Sequence, residues 1–159
     1  IDALVNDYYR GREFVLSGIP ANISKKIEQV IIAGRTENLT LSQIASNIRN
    51  RIIPISRSRA ALIARTETHS ASSLANHTYH DQVRNNLGMN MFKEWVATGD
   101  SRTRTTHAEA SGQRVHMDEK FQVGGAQMSH SGDSAGGAKN VINCRCVIIY
   151  VDERDIVLP

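Results

Sequence analysis

In the first half of the chain, apolar residues recur every three or four positions, the period of a helix with one buried face. Pro20 fits a first helical position, and Ile23, Ile27, Val30 and Ile31 share a face until Gly34 offers a stop, so a helix is expected over 20–34. Thr40 with Gln43 three positions on is a capping box, and the stripe Leu41, Ile44, Ala45, Ile48 predicts a short helix ending before Pro54. Ser56 then opens a polar, Ala-rich stretch without Pro or Gly that reaches Leu87. Ala60, Ile63, Ala64, Ala71, Leu74 and Ala75 keep the helical period within it. One long helix is expected there, and its stripe of small residues predicts close packing against another helix.

The pattern changes at Gly88. Residues 91–98, containing Trp95 and Val96, read as a strand closed by Gly99 and Asp100. Asp100 is placed to cap a short helix carrying Arg102, Arg104 and His107 and ended by Gly112. Residues 115–121 and Val123 are strand candidates, followed by Gly124-Gly125 and a glycine-rich loop over 132–137. Residues 146–151 predict a final strand, apolar almost throughout and therefore expected to be buried on both faces. The fold class is α+β: an N-terminal helical arm with one long helix, followed by a small mixed α/β module with a short sheet. The organisation expected is a helical segment over 1–55 and a module over 56–159 that includes the long helix.

Composition narrows the class. With 159 residues, 40% hydrophobic and 22% charged, the chain matches a soluble globular domain, and its 5% aromatics leave the core to aliphatic side chains and Ala. No apolar run approaches the ~20 residues of a membrane span. The start, Ile1-Asp2-Ala3, has neither an initiator Met nor the order of a signal peptide, so the chain is expected to be a fragment of a longer one. Two cysteines two residues apart are too few for a secreted disulfide framework, and a reducing compartment is expected. The net charge of +3 permits nucleic-acid contact without demanding it. Its distribution says more, because no acidic residue falls between Asn38 and Thr66 while Arg49, Arg51, Arg57, Arg59 and Arg65 do. Such a collar is either a solvated helix face or a contact with an acidic partner or phosphate backbone.

Two constellations carry candidate chemistry. In the run from Asp100 to His107, Thr103, Arg104 and His107 share one face of a helix. The bland reading is a capped surface helix with Arg102 or Arg104 paired to a carboxylate such as Glu67 or Asp133. In Asn143-Cys144-Arg145-Cys146, an extended backbone points both sulfurs the same way. A disulfide across one intervening residue would be strained. Zinc is the cofactor such a pair points to, with His107 as a third ligand and His116, His130 or Asp118 as candidates for another. The alternative is a polar staple of Asn143, Arg104 and His107 around buried thiols, and both stay open. His69, His77 and His80 read as surface residues of the long helix, and the glycines over 132–137 as a turn, since no Gly-Lys-Ser/Thr ending follows.

Taken in order, Ala64-Arg65-Thr66-Glu67, the strand around Trp95, Asp100-Ser101-Arg102-Thr103-Arg104 with His107, Gly112-Gln113, Phe121, Gly132-Asp133 and Asn143-Cys144-Arg145-Cys146 resemble the phage Mu F-like minor head proteins, the head morphogenesis domain of tailed phages and prophages. The resemblance runs from Ser56 to Val151, leaves residues 1–54 uncovered, and lies in the order of the motifs. Members usually carry Pro directly after the Gly-Asp pair, where Ser134 stands here. The resemblance implies a minor capsid protein, not an enzyme: a virion component in the capsid interior, in the host cytoplasm during assembly, present in few copies beside the portal and in some members leaving with the DNA. The partners implied are the portal protein, the major capsid protein and packaged double-stranded DNA. Arg65, Glu67, Asp100, Arg102, Arg104 and Asn143 would be its structural motif residues, and Arg49, Arg51, Arg57 and Arg59 the residues meeting a partner or DNA. Similar domains also stand beside toxin modules. The competing reading is therefore a metal-dependent or nucleotide-using enzyme, toxin-like or nuclease-like, centred on Asp100, Arg104, His107 and the two cysteines. An enzyme would present a cleft of ~300–1,000 Å³ lined by these groups, whereas a structural module would lock them into one another.

Overall fold

The structure, a computed structural model, describes residues 20–52 and 55–155. Residues 1–19 of the expected N-terminal segment, and the Pro54 before which its second helix is expected to end, lie outside them.

Helix α1 spans Ala21–Thr36 with Pro20 at its N-cap, one position earlier than expected. Gly34 does not stop it. A Cβ at position 34 would lie 2.6 Å from Ile44 Cγ1, so glycine here lets α1 close on the next helix. The packing gained there offsets the ~1 kcal/mol that a helical glycine costs relative to Ala. Helix α2, Leu41–Arg51, begins with the expected capping box. The Thr40 hydroxyl accepts from the Gln43 N–H, and Gln43 Oε1 accepts from the Thr40 N–H at 2.8 Å. Helix α3, Arg57–Leu87, starts where the Ser56 hydroxyl accepts from the Arg59 N–H and ends at left-handed Gly88. Ile27 and Ile31 of α1, Ile44 and Ile48 of α2, and Ala60, Ile63, Ala64 and Ala71 of α3 form one helical core. Each fully buried Ile contributes roughly 1.5–3 kcal/mol.

The second core lies under a three-stranded antiparallel sheet whose strands run in the order Arg114–His116 (β2), Met91–Val96 (β1) and Val147–Asp152 (β5). Strand β1, Met91–Val96, is central, and its alternation buries Met91, Lys93 and Trp95. The buried Lys93 is satisfied: its ammonium donates to the Ser129 carbonyl at 3.0 Å and lies over the Phe121 ring. Residues 115–121 divide between β2, Arg114–His116, and β3, Phe121–Val123. Across the Gly124-Gly125 turn, β3 pairs with β4, Ala126–Met128, a strand with no expectation in the sequence. The glycine-rich segment turns into a 3₁₀ turn, Ser134–Gly136, and then helix α5, Gly137–Val141.

The final strand corrects its expectation. Strand β5, Val147–Asp152, lies at a sheet edge, pairing Ile148 with Trp95, and alternates: Ile148 is buried while Val147 and Ile149 are about half exposed. An unbroken apolar run reads as two-face burial, but here only alternate residues reach the core.

Candidate functional site

The short helix that carries His107, α4, spans Thr105–Ala110 and takes Arg104 as its N-cap, with no side-chain cap. Asp100 does not cap it. It stands four residues ahead and folds the preceding turn instead, its carboxylate accepting from the Arg102 N–H at 3.1 Å and the Thr103 hydroxyl at 3.2 Å. The same carboxylate accepts two bonds of 2.7 Å from the Arg145 guanidinium. That pairing, reinforced by the Arg102 N–H, holds the Asp100 carboxyl well below the usual carboxylate range. Arg102 reaches Asp100 only loosely, at 3.4 Å, and is largely exposed. Arg104 donates to the Ile142 carbonyl. Asp133, expected as a partner for one of these arginines, accepts from the Ser129 and Ala135 N–H groups and so caps the 3₁₀ turn. Ser134 takes the first position of that turn, where Pro is also well suited because no N–H is needed.

The preceding Gly132 explains its half of the Gly-Asp pair. Its φ is +79°, and a Cβ there would lie 2.7 Å from Ser70 Oγ and 3.0 Å from Ser70 Cα on α3. Backbone must therefore lie flat against backbone at this point.

Residues 143–146 are pinned to α3 from the other side. Asn143 adopts φ +58°, its Oδ1 accepts from Arg65 at 2.8 Å, and its N–H donates to Thr66 Oγ1 at 2.9 Å. Arg65 is thereby engaged within the fold, and Glu67 is buried beside it on α3. The left-handed turn at Asn143 delivers Cys144 and Cys146, both buried free thiols, to His107. His107 Nδ1 lies 3.3 Å from Cys146 Sγ and 3.7 Å from Cys144 Sγ, and all three donor atoms fall within 4.8 Å of one another. His107 is 2% exposed, and its ring meets Trp95 edge to face.

The two sulfurs are electrostatically unequal. The Cys144 thiol is pulled down by a hydrogen bond from Cys146, then by His107 and His69, against the opposing effect of burial. Cys146 is pushed up by that same bond and by burial, although the Trp95 indole and the Thr98 N–H favour its charged form.

The other expected ligands stand elsewhere. His116 bonds Asn90 Oδ1, Asp118 pairs with Arg84, and buried His130 packs against His77. His69, His77 and His80 are half-buried, contrary to their expected surface position. His69 Nε2 is buried without a hydrogen-bond partner among the described residues, His77 lies 3.4 Å from the Tyr150 hydroxyl, and His80 stacks on the Tyr150 ring at 4.2 Å. Helix α3 is buried on more than one face along its length, so a single apolar stripe could not mark these positions. The sequence also passed over Thr66 and Thr98. Thr66 sat within a quoted motif, while nothing in the sequence marked Thr98.

Space around the cluster is small. Thr98, Arg104, His107, Asn143, Arg145 and Cys146 line a pocket of about 10 Å³, room for one water. A larger open groove of about 420 Å³ lies between α2 and α3, bordered by Ser42, Ala45, Ser46, Arg49, Arg57 and Ala60. Arg51 and Arg59 are exposed nearby. Among the described residues no helix is long and apolar enough to cross a membrane.

Comparison with known proteins accords with this layout. The chain is 34% identical over 132 residues to the NAD(+)–arginine ADP-ribosyltransferase EFV of Enterococcus faecalis, covering 81% of this chain and 26% of that protein. It is 33% identical over 135 residues to the minor head protein GP7 of Bacillus phage SPP1, covering 85% of this chain and 42% of that protein. The chain therefore spans less than half the length of these curated relatives. No solved structure matches it. The profile of the family described as Phage Mu protein F like protein matches residues 21–149. It takes in α1 and α2, which the motif resemblance left out, and shows that this chain belongs to the Phage Mu F-like family.

Proposed function

We propose that this chain is a minor head protein of a tailed phage or prophage, seated beside the portal inside the capsid and required for head assembly. The observation that carries this reading is the 33% identity to a phage minor head protein over 85% of the chain, together with the family match over 21–149. The portal and major capsid proteins are its partners in this reading, the virion interior is its destination, and the host cytoplasm is where assembly takes place. The basic groove at Arg49 and Arg57, with Arg51 and Arg59 beside it, is the surface offered to an acidic subunit or to packaged double-stranded DNA. Among the described residues no carboxylate pairs with these four arginines, which favours a contact outside the fold. The helical residues of 1–55 would then serve docking, and 56–159 the globular module.

The competing reading, an enzyme, rests on the relative named as an ADP-ribosyltransferase. The two relatives align over stretches that must overlap through most of this chain, yet their names differ. That pattern suits a shared module, with any transferase chemistry carried by the remaining three quarters of the enterococcal protein. The groups on which an enzyme would be centred are also engaged within the fold: Asp100 with Arg145, Arg104 with the Ile142 carbonyl, and His107 with Cys146 and Cys144. The space beside His107 holds about one water, far below the ~300 Å³ of a small substrate cleft.

Deletion of the gene from its phage or prophage, with complementation, tests the proposal. Complemented infections should give heads that contain the protein, and the deletion should accumulate defective heads. Normal heads and titres from the deletion would refute it.

A further inference from the structure

Two buried thiols and a buried imidazole gain little from one another as hydrogen-bonding groups. Sulfur is a weak donor and a weak acceptor, and a single ring N–H cannot serve two sulfurs well. Yet His107 Nδ1 is aimed between Cys144 and Cys146, at 3.7 and 3.3 Å. Its Nε2 is buried with no hydrogen-bond partner among the described residues, so the ring is not oriented by a bond on its far side. A second imidazole, that of His69 on α3, has its Nε2 likewise buried without a partner among the described residues; it stands on the Cys144 side of the cluster, outside the three donor atoms that fall within 4.8 Å of one another.

The spacing has a specific meaning. In a tetrahedral zinc site with Zn–S ~2.3 Å and Zn–N ~2.0–2.1 Å, a nitrogen and a sulfur ligand are separated by about 3.6 Å. The two observed separations bracket that edge. The ligand chemistry selects the same ion, because a tetrahedral set of two thiolates and two imidazoles suits zinc, whereas magnesium and calcium require oxygen ligands. The surroundings fit as well. The Thr98 hydroxyl donates to the Arg145 carbonyl between the two cysteines at 3.2 Å, and Asn143 is held from both its side chain and its N–H so that the turn presenting the sulfurs cannot drift.

We propose that His107 Nδ1, Cys144 Sγ and Cys146 Sγ bind one zinc ion, and that the His69 imidazole closes on it as the fourth ligand, making a structural site that cross-links α3, α4 and the segment before β5. On binding, the protons still held by the thiols are released to solvent, and the two thiolates balance the charge of the ion. The site stands independently of the head-protein reading: it ties the helical core to the sheet module whatever the assembled role.

The full chain, purified in reducing buffer without chelator, tests it by metal analysis and by replacement of the ion with cobalt(II). One zinc per chain is expected, and the cobalt form should show sulfur-to-metal charge-transfer absorption that weakens in Cys144→Ser and in Cys146→Ser. Because both cysteines are buried in the core and their replacement also affects folding, the wild-type chain supplies the second measurement: a strong chelator should lower its Tm, and zinc added back should restore it. His69→Ala should keep the charge-transfer absorption while changing the ligand-field bands and weakening zinc retention; bands and retention identical to wild type would remove His69 from the site. A wild-type chain that carries no zinc, gives no charge-transfer absorption with cobalt and melts at the same temperature with and without chelator would overturn the proposal.

Discussion

Asp100 and Arg145, forty-five positions apart, face each other through two parallel bonds of 2.7 Å and join the turn before α4 to the segment that carries the thiols. Bidentate geometry makes this pair more directional than an ordinary surface ion pair. Asp100→Ala and Arg145→Ala should each lower Tm modestly, and the double variant should be little worse than either one, which thermal unfolding of the set would check. Because the pair fixes where Cys146 stands, thiol labelling under native conditions should be faster in each single variant. The pH sign follows from the depressed carboxyl: the contribution is full above the ordinary value of 3.8 and is lost as the pH falls from there toward the folded-state value.

Gly34 reverses an ordinary rule. In an exposed helix Gly→Ala stabilises by up to ~1 kcal/mol, but here the added Cβ would meet Ile44 Cγ1 at 2.6 Å. Gly34→Ala should therefore be neutral to destabilising, and Gly34→Val should cost ~1–3 kcal/mol through overpacking. Pairing Gly34→Val with Ile44→Ala should cost less than the sum of the two single changes in denaturant unfolding.

His77 is kept neutral, its pKa lowered to about 4 first by burial and then by the nearby charges of Lys93 and His130, with Asp81 and Asp133 acting in the opposite sense. Unfolding returns it to about 6.5, so the unfolded chain binds more protons between pH 6.5 and 4 and stability falls as the pH drops through that window. The slope from this one group stays below about 1.4 kcal/mol per pH unit and is reduced because the ring is partly exposed. His77→Phe should flatten the pH dependence of unfolding in that window, and an unchanged slope would refute the assignment.

Charge reversal at Arg49 and Arg57 should leave Tm within a degree or two of wild type, since both side chains border an open groove. Incorporation into heads should drop, and salt added during assembly should weaken the wild type toward the variant. Equal incorporation at all salt concentrations would make the collar a solvated face.

What the sequence disclosed is what local chemistry determines. Thr40, Ser56 and Gly88 mark helix ends because caps act within one turn, and the Cys-x-Cys spacing already placed both sulfurs on one side. What it hid depends on distance along the chain. The partner of Asp100 lies at position 145, and the reason for Gly34 lies at Ile44 on another helix. Strand β4 is three residues long, too short for any periodicity, and β5 is an edge strand written in the apolar alphabet of a central one. The half-buried His69 and His77 belong to a helix that meets a helical core at one end and a sheet at the other, so one stripe could not describe it.

The central claim, a minor head protein inside the capsid, is tested most directly by locating the chain in the particle. Cryo-electron microscopy of purified heads carrying a tagged copy, reconstructed without imposed symmetry, should place the added density inside the shell at the portal vertex, in few copies. Density spread evenly over the shell, or purified heads that lack the protein altogether, would contradict it.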